Sequence, residues 1–459
     1  MHSDPQQAYL DGNHHMAAGD FAIAEDCYLQ ALVLEPMHGA VRANLGYLKE
    51  RQGALAEAEF HYRLALALMP DHAQLHQNLG VLLLKEKRFD EAEAAARMAV
   101  ELAPDSPAAW SQLGVLLACV KREQEAEQCY RRALALDPDH ARTRFNLAYV
   151  LLRQGRFEEG WPLLEARWQF DSFAHAFACP RWEGESLQGK AIVIVLEAGQ
   201  GDMIHFCRYA STLKERGAAR VAVICHAGLK RLFTTLAGVD EVYALDDAVP
   251  ADGWDYWTHP MRLPAVCGPV AIPYLAAEPE LMRQWAGRLP TQGLRVGLAW
   301  KGNPDFENDA DRSLASLQVL APLAAAPGVS SGAHFVSLQK GPGEGEALAP
   351  PDAMTLQAIG PQLGDFADTA AVIANLDLVI SVDTAVAHLA GAMGKPCWLL
   401  LPDYRCDWRW MTERSDTPWY PSMRLFRQPE GGGWAPVIAE VAAGLAELCR
   451  RTPAPSDRA

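Results

Sequence analysis

The chain has 459 residues, 50% of them apolar, and carries 57 acidic against 41 basic side chains for a net charge of −16. That length holds about three domains and that composition describes a globular protein with sizeable cores, while an acidic chain with no basic run argues against nucleic acid or an anionic membrane as its main partner. There is no apolar stretch of about 18 residues for a transmembrane helix and no basic-then-apolar start for a signal peptide, so the expected location is cytoplasmic.

The N-terminal third is periodic. Pro36, Pro70, Pro104 and Pro138 recur every 34 residues, each closing an Ala-rich helical pattern. Ala24, Tyr28 and Ala31 precede the first, Ala58, Tyr62 and Ala65 the second, and Ala126, Tyr130 and Ala133 the fourth. Leu45-Gly46, Leu79-Gly80 and Leu113-Gly114 share one phase, and Asp11-Gly12 takes that place in the first unit. Small residues let paired helices approach, the aromatic is expected to fill the gap between neighbouring units, and proline stops the second helix. A fifth unit begins near Ala141, with Leu147-Ala148 in phase, and runs through Gly160 into Trp161 and Trp168. Residues 156–170 are expected to form the array's last helix, docked onto the neighbouring C-terminal domain. This 34-residue helix-turn-helix period resembles the tetratricopeptide repeat, whose arrays hold partners, so chemistry is sought further along.

From Lys190 the pattern changes to apolar β-type runs alternating with helices, which implies parallel strands with crossover connections. Strands are expected over 191–199, 221–225 and 241–245, with helices over about 203–216 and 228–237 between them. A second block has strands at 294–300, 334–339, 377–383 and 396–402. A Pro-rich, aromatic stretch over about 250–290 joins the blocks, and an Ala-rich segment from about Ala435 to Arg451 reads as a closing helix. The fold class is therefore α plus α/β, a helical solenoid followed by two Rossmann-like lobes. Ten cysteines are scattered without a Cys-x-x-Cys pair; Cys119, Cys207 and Cys397 lie in apolar segments and read as core thiols of a reducing compartment.

Ligands on such lobes bind where strand ends meet helix N-termini. Three loops stand out. Glu197-Ala-Gly-Gln-Gly-Asp202 follows the first strand, and Asp202 can serve chemistry or merely cap the next helix. Ser381-Val-Asp383-Thr384-Ala385-Val386-Ala-His388 opens a helix of small residues, whose free N–H groups at Thr384, Ala385 and Val386 suit an anion. His388 lies one turn on, a site residue or a core histidine. In Trp300-Lys301-Gly302-Asn303 the lysine suits a phosphate oxygen, and Arg312 could return to the same place, or both could be solvated charges. Gln339 and Lys340 end another strand at the height of a nucleoside.

These loops, with Pro180-Arg-Trp182-Glu-Gly184 and the tail Asp407-Trp-Arg409-Trp410 … Pro418-Trp-Tyr-Pro-Ser-Met-Arg-Leu-Phe-Arg-Gln428, resemble bacterial tetratricopeptide-repeat proteins with a glycosyltransferase family 9-like domain. The heptosyltransferases are that family's best-known members. The resemblance implies a GT-B fold, with the repeat array over 1–170, an acceptor-side lobe over 171–290 and a nucleotide-sugar lobe over 291–459, whose closing helix is expected to return to the first lobe. It implies Asp202 as the catalytic base, donor phosphate contacts from Lys301, Arg312, Asp383, Thr384, Ala385 and His388, and nucleoside or acceptor contacts from Gln200, Gly201, His205, Gln339, Lys340 and Arg409. The resemblance implies no metal or other cofactor beyond the nucleotide-sugar substrate. The implied activity is inverting sugar transfer to an acceptor hydroxyl, on a protein or peptide held by the repeats. The alternatives are a non-catalytic scaffold with a degenerate glycosyltransferase-like domain, or a glycan-directed enzyme of heptosyltransferase type. The tail's tryptophans are either packing at the lobe junction or a wall beside the sugar, with Arg409 and Arg424 near phosphate. Ala198 and Gln200 depart from the usual residues of the first loop, and residues 341–346 look like a loosened loop.

Overall fold

The periodic region is built from α1 (Pro5–Ala18), α2 (Phe21–Leu34), α3 (Gly39–Arg51), α4 (Leu55–Leu68), α5 (Ala73–Lys85), α6 (Phe89–Leu102), α7 (Pro107–Cys119), α8 (Glu123–Leu136) and α9 (Ala141–Arg153). The computed structural model describes residues 4–169, 177–268 and 270–451. Within each unit the two helices pack as an antiparallel pair. Every second helix ends just before the residue that precedes the periodic proline: Glu35, Met69, Ala103 and Asp137 leave the helical region with ψ of 88°, 68°, 69° and 94°. The ring of a following proline clashes with a helical residue before it, which is why the stop repeats.

The glycine of each Leu-Gly pair has a specific job. A Cβ on Gly12, Gly46 or Gly114 would lie 2.5, 2.6 and 2.6 Å from the ring of Tyr28, Tyr62 or Tyr130. The aromatic thus fills space inside its own unit first, not only the gap to the next one, and the glycine makes room for it. In the third unit Ala96 replaces the tyrosine, and a Cβ on Gly80 would meet nothing closer than 3.5 Å. Charges tie successive units together on the surface. Arg88 reaches Glu59 of the preceding unit (2.7 Å) and its own Glu91 (2.8 Å), and Arg122, 34 residues on, does the same with Glu93 (2.7 Å) and Glu125 (2.7 Å).

The chain divides into two compact units, Met1–Leu151 with Ala166–Asp171, and Leu152–Glu165 with Ser172–Ala459. Helix α10 (Phe157–Leu164) therefore belongs with the second unit although the repeat pattern reaches it. The domain boundary expected at 170/171 lies outside the described residues.

The second unit contains two wholly parallel sheets. The first has β1 (Ala191–Ile194), β2 (Arg220–Cys225), β3 (Glu241–Ala244) and β4 (Tyr256–Thr258) in the order β3-β2-β1-β4. The second has β5 (Leu294–Ala299), β6 (Ala333–Ser337), β7 (Leu356–Ala358), β8 (Leu378–Val382), β9 (Cys397–Leu401) and β10 (Met423–Arg427) in the order β10-β9-β8-β5-β6-β7. Strand order reverses beside β1 in one sheet and between β5 and β8 in the other, the places where such sheets open to ligands.

Several expectations are corrected. The first strand stops at Ile194 rather than running to Gly199: Val195 still donates to the Thr258 carbonyl at 2.8 Å, but Ala198 then takes a left-handed φ of 60°. The stretch 250–290 is no simple linker, because it supplies β4 and the helix Pro279–Ala286, whose Trp285 indole donates to Asp368 at 3.2 Å. The helix expected over 203–216 is α11 (Gln200–Phe206), a 3-10 turn and Ala210–Glu215, and that over 228–237 shrinks to Ala227–Leu229 and Lys230–Phe233. The closing helix Ala435–Arg451 lays Val437, Ile438, Val441 and Leu445 on the second lobe's own core with Leu320, Leu323 and Phe426, instead of returning to the first lobe. Arg424 on β10 is turned outward and pairs with Glu440, away from the loops expected to hold phosphate. Among the described residues no helix is long and apolar enough to cross a membrane, and all ten cysteines are free thiols.

Candidate functional site

The first lobe brings Asp202 to the junction. The turn after β1 places Gly199 before α11, and Asp202 folds back so that Oδ2 accepts the Gly199 N–H at 3.0 Å. This is the capping role. Its other oxygen does more: Oδ1 accepts from the Arg409 guanidinium of the second lobe at 2.5 Å. Gly201 lets the lobes meet, since a Cβ there would lie 2.9 Å from His388 Cδ2 and 3.6 Å from Ala385 Cα. The Gly-x-Gly-Asp sequence thus serves close packing of α11 against the helix Ala385–Ala392, with Gln200 at its first position.

Arg409 is 5% exposed and heavily partnered. Its own N–H donates to Asp407 Oδ1 at 2.9 Å, and its guanidinium donates to both Asp407 oxygens at 3.1 and 3.2 Å. Its charge lies over the Phe206 ring at 5.1 Å and the Trp408 ring at 4.6 Å. Behind these rings Trp161 of α10 meets Phe206, Trp408 and Trp419 edge to face. The tail's tryptophans therefore pack the junction, and the arginine between them faces carboxylates.

At the second strand end, β8 runs into Asp383 and the helix Ala385–Ala392. Thr384, Ala385 and Val386 are half-buried at its N-terminus, and Thr384 Oγ1 lies 3.1 Å from Ser381 Oγ. Asp383 Oδ2 accepts the Trp410 indole N–H at 2.8 Å. Burial, then the nearby Asp407 carboxylate, push the Asp383 carboxyl up to about 6, against the pull of Trp410, Arg312 and Arg409.

A chain of hydrogen bonds crosses the same junction. Tyr420 Oη lies 2.9 Å from His388 Nδ1 and 3.1 Å from His205 Nδ1. Burial, then Arg208 and Arg409 for His205 and the same two with Arg312 for His388, hold both imidazoles well below their ordinary value, so both are neutral. His388 Nε2 faces Asp383 Oδ1 at 3.8 Å. A proton on that nitrogen leaves Nδ1 to accept from the Tyr420 hydroxyl, whose oxygen then accepts the His205 Nδ1–H. On this assignment the unpartnered His205 Nε2 is a lone pair rather than a stranded donor. Gly391 makes room for Tyr420, whose ring a Cβ would meet at 2.5 Å. Arg208, also buried, fastens the place by donating to the His205 carbonyl (2.7 Å), the Trp419 carbonyl (3.3 Å) and Tyr274 Oη (3.2 Å).

The third strand end is built differently. Gln339 Oε1 accepts the N–H groups of Trp300 (2.9 Å) and Lys301 (3.0 Å), and its Nε2 donates to the carbonyls of Lys301 (3.0 Å) and Pro342 (2.9 Å). The amide welds the ends of β5 and β6. Lys301 Nζ donates to Glu346 at 2.5 Å, and Glu346 also accepts from Trp300 Nε1 (3.1 Å) and Leu317 N (2.6 Å). Residues 341–346, expected to be loose, thus supply a carboxylate that organises this corner. Lys340 donates to the Gly360 carbonyl at 3.1 Å, and Arg312 pairs with Asp309 at 3.1 Å beside Gly302. The junction joins Gln200, Gly201, Asp202, His205, Asp383–Ala385, His388 and Arg409; Gln339, Lys340 and Lys301 lie at the neighbouring strand ends of β5 and β6, β5 being paired with β8. The local pattern did not reveal Glu346, Arg208 or the bridging hydroxyl of Tyr420, since their partners lie 45, 211 and 215 positions away in the chain.

Tetratricopeptide repeat profiles match residues 9–70, 51–114, 107–140 and 124–170. Residues 356–399 match glycosyltransferase family 9 (heptosyltransferase), a segment from β7 into β9 that contains Asp383, Thr384 and His388 but neither Asp202 nor Lys301. Tetratricopeptide repeats thus run through the N-terminal region, and the C-terminal region carries a glycosyltransferase family 9-like segment. It is 30% identical over 346 residues to protein FlbA of Caulobacter vibrioides, a match covering 67% of this chain and 55% of that protein. The chain thus spans about half the length of this curated relative. Solved structures similar to part of it include PilF of Pseudomonas aeruginosa (20% identity, TM-score 0.35, 38% of this chain and 78% of that one) and MamA of Desulfovibrio magneticus (19%, 0.34, 38% and 99%).

Proposed function

We propose that the second unit is an inverting glycosyltransferase that moves a sugar from a nucleotide-sugar donor to an acceptor hydroxyl, and that the repeats recruit the protein or peptide bearing it. The observation that carries this reading is the meeting of Asp202, from the reversal point of one parallel sheet, with the N-terminus of the helix Ala385–Ala392, from that of the other. Asp202 takes the proton of the acceptor hydroxyl as its oxygen bonds to the anomeric carbon. The bond from that carbon to the diphosphate oxygen breaks, and the leaving group departs with the electron pair. The N–H groups of Thr384, Ala385 and Val386, with Lys301 and Arg312, stabilise the charge that collects on it. A base on one lobe and a donor on the other give attack from the face opposite the leaving group, hence inversion. In this scheme residues 171–290 are the acceptor side and 291–459 the donor side, protein groups rather than a metal meet the leaving charge, and a cytoplasmic location suits ten free thiols.

One observation favours a second reading. Asp202 is held by Arg409 and Gly199, Lys301 by Glu346, and Gln339 by backbone, as in a domain that uses its strand ends for cohesion and serves as a scaffold. The deciding experiment measures thermal unfolding against UDP-, GDP- and ADP-linked sugars, with and without EDTA. A stabilisation specific to one nucleotide, indifferent to EDTA and lost in Lys301→Ala, is the expected result; with that donor, Asp202→Asn should lower transfer by about 100-fold or more. No stabilisation by any donor leaves the scaffold.

A further inference from the structure

Arg409 stands at a point of exchange. Its tie to Asp407 is local, two residues away, and is reinforced by the Arg409 N–H that Asp407 also accepts. Its tie to Asp202 spans 207 positions and both lobes. The aromatic faces of Phe206 and Trp408 fix the plane of the guanidinium, so the group can change its outer partner without moving. The Asp202 side chain remains 27% exposed while that of Arg409 is 6% exposed, so a ligand reaches this pair from the Asp202 side. The next residue, Trp410, is tethered to Asp383, which opens the helix Ala385–Ala392. The guanidinium therefore sits on a turn anchored to the anion-suited helix start while its charge is given to the carboxylate opposite.

We propose that Arg409 is shared between Asp202 and the donor's diphosphate: an arriving diphosphate takes the guanidinium edge that Asp202 now holds, and Asp202 is released as a base only when the donor is present. This rests on the glycosyltransferase reading. While Asp202 Oδ1 accepts from the Arg409 guanidinium and Oδ2 from the Gly199 N–H, both oxygens are engaged; once a diphosphate takes the guanidinium, Oδ1 is free to accept the proton that the acceptor hydroxyl must lose. The exchange also accounts for a contact between the lobes that engages the base while no donor is bound. By linkage, two groups that compete for one guanidinium weaken one another equally.

The test is the affinity of UDP, GDP and ADP, without sugar, for the full chain and its variants by calorimetry. Asp202→Asn keeps the shape and removes the competing charge; it should bind the preferred diphosphate about fivefold or more tightly than the wild type. Arg409→Lys, which keeps a charge but loses the planar fork, should weaken binding about tenfold, and Asp202→Asn added to it should give less than about a twofold gain. Unchanged or weaker binding by Asp202→Asn, with the wild type still binding a diphosphate, overturns the exchange and leaves the donor reading standing. Absence of binding in the wild type and in Asp202→Asn alike sinks the donor reading and the exchange with it. Tryptophan emission checks folding; should Arg409→Lys misfold, the comparison of wild type with Asp202→Asn decides alone.

Discussion

The repeat array and the lobe junction use the same residue types to opposite ends. In the array, arginine and glutamate pair at the surface at a fixed period, and glycine faces a tyrosine on the other helix of the same pair. At the junction the pairs are largely buried and span the chain: Arg409 with Asp202, His205 and His388 through Tyr420, and Arg208 with the Trp419 carbonyl of the tail. Surface pairs trade hydration for little net gain, whereas a buried charge stripped of its partner is costly. Stability in the array is therefore distributed, and at the junction it is concentrated in a few side chains.

That contrast breaks most sharply at the arginines. Arg409→Ala removes the cation between Asp202 and Asp407 and should lower stability by about 3 kcal/mol in urea unfolding followed by tryptophan emission. Arg88→Ala, at an equally well-formed pair, should leave the midpoint where it is. Comparable losses at both sites would erase the distinction.

Next in size is a stability difference that grows with pH. Asp383 has its carboxyl raised from 3.8 to about 6, so the stability it contributes when protonated is complete below 3.8 and is lost as pH rises through about 6. Asp383→Asn keeps an oxygen for the Trp410 indole and cannot ionise. It should match the wild type near pH 4 and exceed it by about 2 kcal/mol at pH 8, measured as the difference between their unfolding curves. A constant difference across that range would show that the carboxylate is not the strained group.

Smaller is a pair of alanine substitutions in one repeat phase. Gly46→Ala drives a Cβ into the Tyr62 ring and should cost about 1–2 kcal/mol. Gly80→Ala meets only Ala92, Ala95 and Ala96 at 3.5 Å or more and should gain up to about 1 kcal/mol from helix propensity. Equal effects on thermal unfolding would mean that the tyrosine does not set the demand for glycine.

Particular residues show how far the chain could be read. The proline stops, the Gly–Tyr spacing and seven of the ten described strands come from local pattern, since each depends on neighbours within one helical pair or one apolar run. β4, β7 and β10 escaped because Tyr256–Thr258 and Leu356–Ala358 are three residues long and Met423–Arg427 lies among aromatics that mask its alternation. Asp202, Asp383, His388 and Arg409 stood out as residues, but their partners did not.

Local pattern alone dictates that a helical array with a 34-residue period precedes two parallel-sheet lobes, because backbone sterics and apolar periodicity act over a few residues. Three-dimensional packing was needed to bring Asp202 to Arg409, to join two histidines through one tyrosine hydroxyl, and to keep the closing helix on the second lobe. Such pairings are made where α11 of one lobe packs against the helix Ala385–Ala392 of the other, and burial there strengthens electrostatic contacts between groups that the chain keeps far apart.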